Sequence, residues 1–315
     1  MSPQVAAAII AASVGVLTLI GTLAAQYFGR RATSRDTQRA LEEQGKHLDR
    51  TLTEQRTRTL NERFAAAADQ LGSDKSAAIR LAGVYAMAGL ADDWEENRQT
   101  CVDVLCAYLR MPYEPDPGQD APGPQRLAFR ASREVRHTVI RVITAHLKDG
   151  AAMSWRGLNF DFTGVVFDGG DFTGAEFSGG TVYFTGATFS AGTVYFTDAT
   201  FSGGTVYFTD ATFSGGTVYF RHAEFSGGTV GFDGAEFSGS TVYFDSTFSG
   251  GAVYFINAEF SGGTVYFDAA TFSGGVVDFS TPRDWSFPPE FPWKDTPPPG
   301  VTLPKKEDQS QRKPA

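Results

Sequence analysis

The sequence predicts an N-terminal transmembrane helix and an α-helical region, followed by an all-β stack of short strands. Three observations carry this. The run Val5–Phe28 holds no charged residue. Residues 33–72 are dominated by Arg, Glu, Gln, Leu and Ala, with no proline. Of the 27 phenylalanines in 315 residues, 22 fall between Phe160 and Phe279 at regular spacing, the signature of a repeat.

The apolar run is long enough to cross a bilayer as a helix. A cleaved signal peptide, cut near Ala25, is the competing reading. It calls for a basic leader and a short apolar core, whereas the chain opens MSPQ and the run is long. Arg30, Arg31, Arg35 and Arg39 follow it, which places the N-terminus outside and the rest of the chain in the cytoplasm. The expected localisation is therefore the cell membrane, single-pass. Residues 33–72 read as a helical stalk. A heptad through Leu41 and Leu48 would make it a coiled coil, but Gln55 and Thr59 fall on the seam, and a solvated stalk explains the pattern equally well.

A helical domain is expected over 73–150. Asp74 is positioned to cap a helix with Ile79, Leu81, Val84, Tyr85 and Leu90 on its apolar face. A second helix, from about Glu95 to Arg110, carries Val102, Leu105, Cys106 and Leu109. After the loop MPYEPDPGQDAPGP, Ser132 would cap a third, with Val135, Val139, Val142, Ile143 and Leu147, stopped by Gly150. Cys101 and Cys106 have no partner ligands and read as core thiols. His137 and His146 read as surface or core histidines. No metal or cofactor is expected.

From Phe162 the phenylalanines recur every five residues, then at alternating steps of seven and five through Phe244. The unit is FSGGTVYFTDAT. Two residues before each five-step Phe stands Ala (Ala187, Ala199, Ala211, Ala223, Ala235), and before each seven-step Phe stands Val (Val182, Val194, Val206, Val218, Val230). Strand alternation turns both members of each pair to one face. The Gly pairs turn the corners.

Segments such as Ala175-Glu176-Phe177-Ser178-Gly179 and Ala199-Thr200-Phe201-Ser202-Gly203 resemble pentapeptide repeats, and the resemblance spans residues 158–280. It implies a right-handed quadrilateral β-helix with the central Phe inside. The layout also resembles actinobacterial proteins with an N-terminal membrane anchor and helical region before such repeats. Twelve residues per coil would have to enclose two Phe and a Val in a very narrow core. Twenty-four per coil, in faces of five, seven, five and seven, enclose four Phe, two Ala and two Val, so a 24-residue coil is predicted over 151–280, about five coils in all. At Phe244-Asp245-Ser246-Thr247-Phe248 the spacing falls to four, which predicts a tightened corner at 245–247 with Phe248 still stacked on Phe225. In the terminal segment 281–315, Trp285, Phe287, Phe291 and Trp293 are expected to cap the last coil, ahead of a Pro-rich disordered tail from about residue 300.

Outward tyrosines form two ladders on opposite faces. One holds Tyr183, Tyr207 and Tyr254, broken by Gly231, and the other Tyr195, Tyr219, Tyr243 and Tyr266. With Asp198, Asp210, Glu224 and Glu236 they make up the candidate interaction surface. β-Branched and aromatic residues also simply suit exposed strands. Residues 151–280 contain 2 basic and 13 acidic side chains, net −11, the reverse of a nucleic-acid binder. No catalytic residue is assigned, because repeated carboxylates on a convex rod supply no cleft in which to raise a pKa. The expected function is a membrane-anchored, non-enzymatic scaffold for a cytosolic or membrane-associated protein, with a second copy of the chain a further option as partner. The alternative, implied by the resemblance, is a DNA mimic acting on a topoisomerase or another nucleic-acid-binding protein.

Overall fold

The computed structural model describes residues 2–294 and 296–305, without the side chains of residues 4–14 and 30–37. The front of the expected membrane span (side chains 5–14), the side chains of Arg30, Arg31 and Arg35, and residues 306–315 of the expected tail therefore lie outside the description. Among the described residues no helix is long and apolar enough to cross a membrane. The chain divides into two units, residues 1–62 and 63–315. Helix α1 runs Pro3–Leu71. Along it Leu41, Leu48 and Leu52 are exposed, so no packed seam forms there within the chain.

In the second unit, α2 (Ala77–Asp93), α3 (Arg98–Arg110) and α4 (Gly123–Leu147) follow. The apolar faces expected for α3 and α4 are buried. Three expectations need correction. Ser76, not Asp74, precedes α2, and it makes no side-chain cap bond. Tyr85 is 59% exposed. The face of α2 is centred instead on Gly83, Val84, Met87 and Ala91, because α2 lies against the end of α1 so closely that a Cβ on Gly83 would stand 2.5 Å from the Leu71 nitrogen. Finally, Ser132 caps nothing, since α4 already begins at Gly123, where Pro124 occupies the first turn.

Residues 160–302 form a parallel β-solenoid of about six turns. Register fixes the coil. Thr217-Val218-Tyr219 pairs with Thr193-Val194-Tyr195 before it and Thr241-Val242-Tyr243 after it, steps of 24. Each coil has four faces, two built on Thr-Val-Tyr and two on the dipeptide ending in the five-step Phe. The extra residues of the seven-step are taken up as bulged Ser-Gly-Gly corners, seen as register shifts between Phe177 and Thr181. Corner glycines are required there. Gly228 has φ +67°, and a Cβ on it would lie 2.6 Å from the Gly204 oxygen of the coil below.

The interior is four columns of stacked phenylalanines. Phe184, Phe208 and Phe232 stack at 4.6 Å, and this column meets the column through Phe196, Phe220 and Phe244 edge to face (Phe208–Phe220, 5.9 Å, 81°). Every Phe from 160 to 279 is buried except Phe272, which is partly covered by Trp293. Each buried ring contributes about 2–3 kcal/mol. At a rise of about 4.8 Å per coil the solenoid is about 29 Å long.

The deletion at 244–248 behaves as predicted. Thr247 and Phe248 pair with Glu224 and Phe225. A normal corner bonds Ala235 N–H to the Phe232 carbonyl, whereas here Ser246 N–H reaches Phe244 O, one residue shorter. Ser246 takes the buried place of the column alanine and donates its hydroxyl to the Phe220 carbonyl.

Both ends are covered. The terminal segment makes a last, irregular coil in which Trp285 packs on Phe260, Phe291 on Phe267 and Trp293 on Phe272. Phe287, expected in this cap, is 54% exposed. Order also extends past residue 300, because Val301–Thr302 adds a strand to Val277–Asp278. At the other end α3 and α4 cover the first coil. The Gln99 amide bonds both ways with the Asn159 backbone (2.8 and 2.9 Å), closing a strand edge that would otherwise be open. Arg136, buried, donates to Leu109 O and Val166 O. Asp168 accepts from Tyr113 Oη (2.7 Å) and Arg133 Nε (2.9 Å) and lies 3.1 Å from His137 Nε2. His146 stacks on Trp155 at 3.9 Å, and both reach Asp92. Cys101 and Cys106 are buried and free, burial pushing their thiols up to about 11 and about 12.

Candidate interaction surface

The two Thr-Val-Tyr faces lie on opposite sides of the solenoid, with Val inward and Thr and Tyr outward. On one, Tyr195, Tyr219, Tyr243 and Tyr266 form an unbroken ladder with ring spacings of 5.6, 5.0 and 5.0 Å, each pair about 16° from parallel. Successive rings are thus nearly parallel neighbours along the solenoid.

On the opposite face Tyr183 stacks on Tyr207 at 5.6 Å. Gly231 comes next in register, and Tyr254 stands beyond it. Tyr207 and Tyr254 make no ring contact with each other.

The acidic candidates occupy other sites. Asp198 and Asp210 sit at corners with φ +54° and +53°, as do His222 and Asn257 at +56° and +54°. Elsewhere Gly186 and Gly234 hold the same corner with positive φ. Short polar residues are there because they tolerate the left-handed region. Glu224 and Glu236 point outward from the two remaining faces, immediately before Phe225 and Phe237. Glu224 lies between Thr200 and Thr247, and Glu236 between Thr212 and Glu259. The eleven candidates are thus spread over every side of the solenoid and do not converge on one site.

Three charged residues matter that the repeat pattern did not single out. Arg221 lies with its guanidinium carbon 4.8 Å from the Tyr219 ring and 4.6 Å from the Tyr243 ring, and its Nε bonds Asp245 at 3.1 Å. The unbroken ladder therefore carries its own stacked and paired arginine. Its signal in the sequence is that Arg221 is the one Lys or Arg between Arg156 and Arg283. Across the solenoid, Asp233 stands one residue after its column Phe, as Arg221 and Asp245 do, with no ion pair among the described residues. Burial, then the charges of Asp210 and Asp278, pushes the Asp233 carboxyl above its ordinary range. No cluster of metal-ligating side chains occurs among the described residues.

A family model described as pentapeptide repeats, in nine copies, matches residues 162–206. No curated protein and no solved structure matches the chain. The repeat match and the β-solenoid together support a pentapeptide-repeat protein.

Proposed function

We propose that the protein is a membrane-anchored, non-enzymatic scaffold that presents its acidic solenoid to a cytosolic or membrane-associated protein. The observation that carries this reading is the solenoid itself. Its interior is filled by phenylalanine from end to end and its ends are covered, so its chemistry lies wholly on regular outward faces. The anchor rests on the uncharged run Val5–Phe28 and the arginines after it.

Imitation of duplex DNA is the second reading, and the net charge of −11 over 151–280 favours it. Against it, the acids are spread over all sides, and several are matched by bases: Asp245 by Arg221, Glu259 by Arg283 and Glu176 by Arg156.

The test is in-cell cross-linking of the full-length chain, followed by membrane fractionation. The scaffold reading expects a discrete cross-linked partner that disappears when residues 151–280 are deleted, and release of the chain from carbonate-washed membranes when residues 1–29 are deleted. A partner that survives loss of the solenoid, or a full-length chain that is soluble, contradicts it.

A further inference from the structure

The broken tyrosine ladder has a shape and a charge that select a ligand. Replacing one ring by Gly231 leaves Tyr207 and Tyr254 on strands two coils apart, about 10 Å at the strand spacing; Gly231 itself is buried, so the room for one flat group lies above it, between the outer parts of the two rings. The face of Tyr207 away from Tyr183 looks into this gap. Gly231 has no left-handed φ, and its neighbours in register are Tyr, so the backbone does not require glycine here. In place of a side chain the gap holds a carboxylate. Asp233 Oδ2 lies 2.6 Å from where a Cβ on Gly231 would stand. Asp210 and Asp278 add negative charge around it.

The opposite ladder shows what these components hold. There Arg221 lies against two tyrosine rings while its Nε bonds an aspartate in the same column as itself. At Gly231 an aspartate and two tyrosines are again neighbours, but the rings stand two coils apart instead of stacked, and no arginine accompanies them. We propose that the gap at Gly231 is a docking slot for an arginine side chain of a partner protein, its guanidinium between Tyr207 and Tyr254 and paired with Asp233. This rests on the scaffold reading and names the chemistry of its partner. Arginine fits better than lysine because its planar guanidinium stacks on rings and binds a carboxylate in a fork.

The test is fluorescence anisotropy of the labelled peptide Gly-Arg-Gly-Arg-Gly-Arg-Gly with the full-length chain in detergent, beside its lysine counterpart. Gly231→Tyr completes the ladder, its Cβ closest to the end of the Asp233 side chain, and Asp233→Asn removes the charge. Each is expected to weaken the arginine peptide about tenfold or more. Asp268→Asn, an equal change in net charge away from the slot, is expected to change binding less than about twofold. The lysine peptide should bind several-fold more weakly. An arginine peptide that does not bind, a lysine peptide that binds equally, or equal losses in Asp233→Asn and Asp268→Asn would overturn the slot. Should Gly231→Tyr fail to fold, Asp233→Asn against Asp268→Asn still decides. If the slot fails while the cross-linked partner still depends on residues 151–280, the scaffold stands. If no such partner exists, the scaffold fails independently of the peptide result.

Discussion

Phe248 stacks on Phe225 with ring centroids 4.7 Å apart and planes 5° from parallel, although 23 residues separate them where the repeat supplies 24. The loss of one residue is confined to a single corner. A slip by one along the strand would turn every later Phe outward, yet Phe260, Phe267 and Phe279 remain buried. Stacking of rings inside the coil, together with the carbonyl-to-amide ladder, holds register more strongly than the corner can disturb it.

Phe225 touches rings above and below, at 4.7 and 4.8 Å, and is 1% exposed. Phe225→Ala is expected to destabilise the solenoid by about 3–5 kcal/mol. Tyr219→Ala, at an outward position, should cost less than about 1 kcal/mol. Urea unfolding of both variants checks the contrast. Equal losses would place Phe225 outside the core.

At the shortened corner, the Ser246 hydroxyl is buried and bonds the Phe220 carbonyl, which also receives the Ala223 N–H. Ser246→Ala leaves that carbonyl with a partner and restores the residue usual in the column. It should cost no more than about 1 kcal/mol. Ser246→Leu, forced into a place that elsewhere holds alanine, should cost about 1–3 kcal/mol or more. Thermal melts of the pair read the difference.

Asp198, at φ +54°, is held by backbone geometry. Asp198→Gly is expected to be close to neutral, and Asp198→Val to cost about 1–2 kcal/mol. If instead both substitutions reduce partner cross-linking without changing stability, the carboxylate serves binding and the corner explanation is wrong.

The junction between helices and solenoid should be sensitive to acid. Burial raises the Asp168 carboxyl, but hydrogen bonds from His137 and Tyr113 and the charges of His137 and Arg133 outweigh it and hold it below the ordinary aspartate range. A depressed folded-state value means that the carboxylate stabilises the fold above the unfolded value of about 4, and that this stability is lost as pH falls through the lower folded value. Asp168→Asn should cost about 1.5–3 kcal/mol at neutral pH, the range for hydrogen bonds to a charged group. The gap from wild type should shrink as the pH is lowered below about 4. A gap that is constant with pH would show that Asp168 acts through shape alone.

The solenoid was legible because its rule is one-dimensional: Phe spacing, the small or branched residue two places earlier and the glycines determine face, interior and coil length. The helices were less so. α2 docks through Gly83 and Ala91, small residues that carry no strong apolar signal, so the periodicity of larger side chains drew Tyr85 into the face. Pro124 already allowed α4 to start before Ser132. The aromatic cap was legible in Trp285, Phe291 and Trp293, but the strand after it was not, since Pro-rich sequence reads as tail, yet Val301 continues the valine column of Val277. Of the outward features, the tyrosine ladders follow from the repeat. The pairing of Arg221 with Asp245 does not, because it joins residues one coil apart that only the 24-residue register brings together.

The placement of both tyrosine ladders, and of the gap at Gly231, depends on that register. Cysteine pairing tests it most directly. Thr217 and Thr241 are partners on adjacent strands, a spacing of about 4.8 Å that a disulfide spans. Thr229 lies on the opposite face. Oxidised under mild conditions and read by mass spectrometry, the Thr217→Cys/Thr241→Cys chain should cross-link and the Thr217→Cys/Thr229→Cys chain should not. A bond across the twelve-residue pair, with none across the twenty-four, would contradict the coil and every face assigned from it.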